Sequence, residues 1–250
     1  MQIEPDTGAH SDQFSQPQNL AYDHARWEGR RNFLRFLMRV IGFTLIARMD
    51  GVEGLENIPL SGPTIVMINH IAFIDPMAVI HVYPRNIVPM AKREALDLPL
   101  IGILPKIWGV IPVDREGMDR KALRMAEQVL GAGEAILIAP EGTRGSELKE
   151  GREGVAFLAA RTGAPILPTA VEGTKGFPTF PFSSLWRNQR ASVRFGAPFR
   201  FKTTDRRPDR DQLRLMTDEA MIALARLLPE QRRGVYADQV DRPLTTIQPI

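Results

Sequence analysis

Cysteine is absent from all 250 residues. That excludes a thiol nucleophile, a disulfide framework and a cysteine-ligated zinc site, and it fits a reducing compartment. Long apolar runs are missing too. No stretch of ~18 uncharged apolar residues occurs, so no membrane-crossing helix is expected. The N-terminus lacks the charged start, apolar core and small-residue cleavage site of a secretory signal. Residues 1–29 read instead as a polar, flexible leader. Formal charge is only +3, too little for a nucleic-acid field, so no nucleic-acid partner is expected. Several reaction motifs are also missing: the Gly-x-Ser-x-Gly elbow, the Walker A loop, His-Glu-x-x-His, and a Gly-x-Gly-x-x-Gly loop after a strand.

What is present suits one sizeable domain with appended segments, given a hydrophobic content of 44%. Residues 30–49 carry Arg30, Arg31, Arg35, Arg39 and Arg48 and no acid before Asp50. Arg31, Arg35 and Arg39 recur every fourth residue and so share a helical stripe. Phe33, Phe36, Leu37, Val40 and their neighbours supply a broad apolar face. Such a helix is expected to lie on a membrane surface, apolar face down and arginines at the headgroups. The plainer alternative is a helix packed on the domain with a solvated basic edge.

From residue 50 to 228 the pattern alternates between strand and helix. Strands are expected at 64–68, 87–90, 109–113, 135–139, 165–171 and, as the last, 192–195. Helices are expected from Asp75, over 118–130, 155–161 and 210–228, with a broken one over 96–108. The fold class is therefore α/β: a mixed, largely parallel sheet covered by helices. Residues 229–250, polar and punctuated by proline, read as a flexible tail.

Two motifs carry chemistry. His70 is the only histidine with an acid five residues on, in Asn69-His70-Ile71-Ala72-Phe73-Ile74-Asp75. Imidazole takes a proton near neutral pH, and a carboxylate on its other nitrogen fixes the tautomer. Asp75 beside Pro76 also has the form of a helix cap. The second motif is Ala139-Pro140-Glu141-Gly142-Thr143-Arg144. Both follow strands at their carboxyl ends, where open α/β sheets bind ligands. One cleft collects them, and Arg115 after the 109–113 strand, if those strands are parallel neighbours. Arginine's planar fork suits an anionic ligand there.

Asn-His-x4-Asp and Pro-Glu-Gly-Thr-Arg together resemble the glycerolipid acyltransferase family, the lysophosphatidic acid acyltransferases among them. Two weaker blocks lie in family order: Gly109-Val110-Ile111-Pro112-Val113-Asp114-Arg115 and Ala164-Pro165-Ile166-Leu167-Pro168-Thr169-Ala170-Val171. The likeness spans roughly residues 50–200. It implies an O-acyltransferase of phospholipid synthesis, using acyl-CoA or acyl-carrier-protein thioester as co-substrate, with no bound cofactor or metal. His70 would be the base and Asp75 its orienting partner. Arg115 and Arg144 would hold the phosphate of a lysophospholipid, with Glu141, Gly142 and Thr143 shaping that site. Lys149, Arg152 and Lys175 are weaker phosphate candidates. The aromatic stretch 177–186 is either an interfacial loop, part of an acyl tunnel, or a cover over the core. The implied location is the cytoplasmic face of a membrane, peripherally bound. Three positions depart from the family pattern: Ala72 and Gly145 stand where serine is common, and Ala139 where an aromatic is. The alternatives are a different glycerolipid or amino-lipid acceptor, or a non-catalytic lipid-binding protein.

Overall fold

The computed structural model describes residues 25–40, 48–99, 102–114, 119–174, 190–202 and 208–250. Arg115, Lys175 and the 177–186 stretch lie outside the described residues, as does most of the leader.

The centre of the molecule is β2 (Thr64–Ile68), every residue of which is buried. It pairs in parallel with β5 (Ala135–Ile138) on one side and β6 (Ile166–Glu172) on the other. Its β-branched run suits a strand covered on both faces. Alternate side chains divide between two cores, as the period of two requires. Ile65 and Met67 join the cluster under α5 (Arg120–Gly131), α6 (Gly154–Thr162) and α7 (Arg210–Ala225). Val66 and Ile68 join the cluster with Val79 and Ile80 of α2 (Asp75–Val82). The domain is thus a sheet sandwiched between helices. Its strand order is β1-β7-β6-β2-β5-β3-β4, where β1 is Arg48–Glu53, β3 Ile87–Lys92, β4 Ile111–Val113 and β7 Arg190–Phe195. From β6 through β4 that path is parallel, while β6 and β7 pair antiparallel. The mixed, largely parallel sheet expected from sequence is the one observed.

Helix ends follow local chemistry. Asp119 caps α5 by accepting from the amides of Lys121 and Ala122, both at 3.0 Å. Asp209 caps α7 through the Gln212 amide at 2.8 Å. Of the broken helix expected over 96–108, the described part beyond Leu96 is helical only as α4 (Ile103–Trp108), and a one-turn helix, α3 (Arg93–Leu96), stands just ahead of it.

Two expectations are corrected. The N-terminal helix exists as α1 (Ala25–Leu37), but its arginine stripe, with Arg39 just past its end, bonds to the domain's backbone: Arg31 is buried, Arg35 half-buried and Arg39 exposed. Arg31 is fully buried and donates to the carbonyls of Trp108 and Gly109 at 2.8 and 3.0 Å. Arg35 donates to Pro84, and Arg39 to His81 and Tyr83. These carbonyls lie at the C-terminal ends of α4 and α2, where backbone acceptors lack intrahelical donors and partial negative charge gathers. Three guanidinium forks satisfy them, and that outweighs solvation of the arginines. The outward face is apolar: Phe33 and Phe36 are 65% and 62% exposed.

The 229–250 segment is folded, not a loose tail. It makes two 3₁₀ turns, Glu230–Arg232 and Gly234–Gln239, and a ninth strand, β9 (Ile247–Pro249). β9 pairs with β8 (Phe199–Phe201), which pairs with β6, so 192–195 is not the last strand. Glu219 of α7 secures the segment. Its two oxygens accept from the amides and hydroxyls of Thr245 and Thr246 at 2.6–2.8 Å.

Candidate active site

β2 ends at Ile68, and the next side chain imitates the strand it leaves. Asn69 donates to the Val171 carbonyl at 2.9 Å and accepts from the Val171 amide at 2.7 Å. A side-chain amide thereby extends the β2–β6 ladder by one step while the main chain turns away. His70 leaves from that pinned point. Its Nδ1 lies 3.0 Å from Asp75 Oδ2. The same oxygen accepts from the amides of Ile71 and Ala72 at 2.6 and 2.7 Å. Asp75 is fully buried, whereas His70 keeps 18% of its side chain exposed. Asp75 is therefore not the helix cap of α2: Ile74 holds that position, and the carboxylate faces back into the turn that carries the histidine. With Nδ1 engaged, Nε2 is the nitrogen left for chemistry.

The second motif leaves β5, which is β2's parallel neighbour. Glu141 is buried, and its carboxylate accepts from the His70 amide at 3.2 Å and the Lys149 amide at 3.1 Å. Burial pushes this carboxyl above its ordinary value, and the two amides oppose the rise. These hydrogen-bond partners are main-chain amides. Glu141 joins the two motifs through their backbones. Gly142 has φ +65°, and a Cβ there would sit 3.1 Å from Arg152 Nε, so a side chain would be both strained and crowded. Thr143 and Arg144 are exposed, and the Arg144 guanidinium lies 6.0 Å from the Phe73 ring centroid. That contact brings the arginine over the turn between His70 and Asp75. Gly145 closes the junction, its amide donating to the His70 carbonyl at 2.8 Å.

These residues open on one cavity of about 1020 Å³. It lies over the carboxyl ends of β2, β5, β3 and β4, the parallel neighbours that sequence reasoning required. His70, Gly142, Thr143 and Arg144 line it; Glu141 and Asp75 stand behind the wall. Asp114, the residue before Arg115, also lines it. Much of the remaining wall is apolar, including Met77, Ile80, Leu104, Trp108 and Val110. Cavity-lining cations include Lys92 and Arg214, which sequence reasoning did not single out, and Arg152, which it did. Arg214 had a faint signal in its i,i+4 spacing from Asp218, its ion-pair partner. Lys92 and Asn69's ladder role had none. Lys149 approaches from behind, through its backbone.

The Acyltransferase family matches residues 51–172. The chain is 36% identical over 130 residues to the 1-acyl-sn-glycerol-3-phosphate acyltransferase of Borreliella burgdorferi, covering 50% of this chain and 52% of that one. It is 29% identical over 155 residues to the chloroplastic protein of that name from Brassica napus, covering 58% and 44%. With the Bacillus subtilis protein the figures are 26% over 168 residues, 67% and 82%. The chain thus spans about half the length of the first two relatives. The crystal structure of the Thermotoga maritima 1-acyl-sn-glycerophosphate acyltransferase superposes with a TM-score of 0.55 and 23% identity, over 76% of this chain and 77% of that one, so the two share a fold.

Proposed function

We propose that the chain is an acyltransferase of the family whose model matches residues 51–172, and that it moves a fatty acyl group from a thioester to the hydroxyl of a lysophospholipid. The acceptor is 1-acylglycerol 3-phosphate, and the donor is acyl-CoA or acyl carrier protein. The observation that carries this reading is the convergence, in one largely apolar cavity, of a carboxylate-held histidine and an arginine. His70 Nε2 takes the acceptor's hydroxyl proton as that oxygen attacks the thioester carbonyl. The tetrahedral intermediate collapses, the C–S bond breaks, and the leaving thiolate takes the proton from the imidazolium. Asp75 stabilises that cation and keeps Nδ1 protonated. Arg144 holds the acceptor phosphate, with Arg115 as its companion and Gly142 and Thr143 shaping the approach. The apolar wall accepts acyl chain.

The protein works as a peripheral protein at the cytoplasmic face of a membrane. No helix among the described residues is long and apolar enough to cross one. The outward face of α1 supports surface binding: Phe33, Phe36 and Leu37 recur at helical spacing, exposed Val40 follows just past the helix, and α4 adds Ile103 and Ile107. Each large side chain moved from water into lipid contributes ~1.5–3 kcal/mol. The anchor is therefore the apolar face, with the arginines fixing α1 to the domain beneath it.

The test is thiol release from acyl-CoA, with and without 1-acylglycerol 3-phosphate. Release that depends on the acceptor, with formation of the diacyl product, supports the reading. No release with any lysophospholipid, from either donor, overturns it.

A further inference from the structure

The loop 139–152 bears Arg144 yet has almost no regular structure of its own. Its outer half is held from the far end of the chain, beyond the family-matched span. Around Leu148 the partners form a short two-bond pair: its amide donates to the Arg232 carbonyl at 2.9 Å, and its carbonyl accepts from the Val235 amide at 3.3 Å. The Arg232 side chain adds a bond to the Ser146 carbonyl at 2.6 Å, and its Nε lies 3.4 Å from Glu172 on β6. Tyr236, 2% exposed, accepts from the Gly151 amide at 3.2 Å and donates to Asp218 at 3.3 Å. Gly234 opens the second turn, with φ +52°. A Cβ there would lie 1.9 Å from the Leu148 carbonyl oxygen, so the strap touches the loop backbone directly.

We infer that residues 232–236 are a positioning strap for the acceptor-phosphate site, with Arg232 and Tyr236 as its positioning residues. The inference rests on the reading that Arg144 binds the phosphate. Without the strap, Ser146, Leu148 and Gly151 lose partners for four backbone groups, and a loop so released spends less time with Arg144 over the cavity. The base suffers less. Asn69 and Asp75 hold His70 without the strap, and the loop residues that meet its main chain, Glu141 and Gly145, precede the strapped Ser146, Leu148 and Gly151.

Two variants test this, Arg232→Met and Tyr236→Phe; the second keeps the buried ring and removes only the hydroxyl. Each is expected to raise KM for the phosphorylated acceptor about tenfold. Loss of kcat should be smaller, and KM for the same acceptor without phosphate should change little. Arg232→Lys, which keeps one donor for Ser146, should recover part of the loss. Hydrogen exchange supplies a readout independent of turnover: the Leu148 and Gly151 amides should exchange faster while β2 and β5 do not. Equal losses on both acceptors, unchanged exchange at those amides, or faster exchange across the whole sheet would each overturn the strap. If the wild type acylates no acceptor, the functional reading falls, and exchange still decides whether the strap holds the loop.

Discussion

The histidine and the arginine that face one cavity are mounted in opposite ways. His70 is held by its own neighbourhood: Asp75 is five residues away and also takes the Ile71 and Ala72 amides. The ring's own partner is local; Asn69, gripping Val171, and the main-chain bonds of His70 with Glu141 and Gly145 reach far along the chain. The Arg144 loop is held mainly from afar, by Arg214 of α7 at the Gly151 carbonyl and by Arg232 and Tyr236. The proposed base thus takes its ring orientation locally, and the proposed anion site is an assembled one. A proton-transfer partner must keep one geometry, whereas a phosphate clamp tolerates small displacements.

The largest expected effect lies on the local side. His70→Ala should lower turnover by ~10²–10⁴ with unchanged thermal unfolding, measured by thiol release and circular dichroism. Asp75→Asn should come close to it, because the amide presents a donor where Nδ1 needs an acceptor for its proton. Near-normal turnover in folded His70→Ala would remove the base from the mechanism and with it the comparison.

Arg144→Ala should be gentler and selective. Loss of a charge-assisted contact should cost roughly 10–100-fold in kcat/KM on the phosphorylated acceptor. The acceptor without phosphate should lose much less, as steady-state kinetics on both will reveal. Equal losses would make Arg144 a structural residue or a donor contact.

The two faces of α1 extend the contrast between inward fastening and outward use. Arg31→Met strands two buried carbonyls at the end of α4 and should cost about 1–3 kcal/mol, read as a lower denaturant midpoint. Phe33→Ser with Phe36→Ser should leave that midpoint alone and release the protein from anionic vesicles in flotation. Flotation equal to wild type would move the anchor elsewhere, with the 177–186 stretch as the first suspect.

The smallest effect concerns how the last residues are fastened. Burial pushes the Glu219 carboxyl up, but its hydrogen bonds from Thr246 and Thr245 prevail and hold it below its ordinary value. A depressed carboxyl contributes stability above its unfolded value, about 4.3, and loses it as pH falls through the folded one. The melting-temperature gap between wild type and Glu219→Gln should therefore be widest near neutrality and narrow below pH ~4. A gap that stays constant across that range would show that the carboxylate's charge is immaterial to the clamp.

Legibility followed the same divide. β2, β5, α5 and α6 carry their burial in their own periodicity, and the His70–Asp75 pairing lies within one turn of chain, so both could be read from residues in order. The sense of α1 could not. Its stripe of arginines at every fourth residue is the same whether the forks meet headgroups or carbonyls, and only the arrival of the α2 and α4 C-termini beneath it chose the carbonyls. Glu141 was legible as a motif residue but not as the link between two backbones, because the His70 and Lys149 amides it accepts from come together only when β2 and β5 lie side by side.

The amino-acid sequence by itself determined the α/β class, the parallel order of motif after strand, and the pairing of His70 with Asp75. These depend on hydrophobic period and short spacing, which are properties of neighbouring residues. Tertiary structure alone decided which face of α1 meets the solvent, what Glu141 holds, and that residues 229–250 are part of the fold. Those outcomes turn on unpaired carbonyls and amides finding donors and acceptors many residues away. A short 3₁₀ turn or a three-residue strand has too little pattern to announce its partner before the chain has folded.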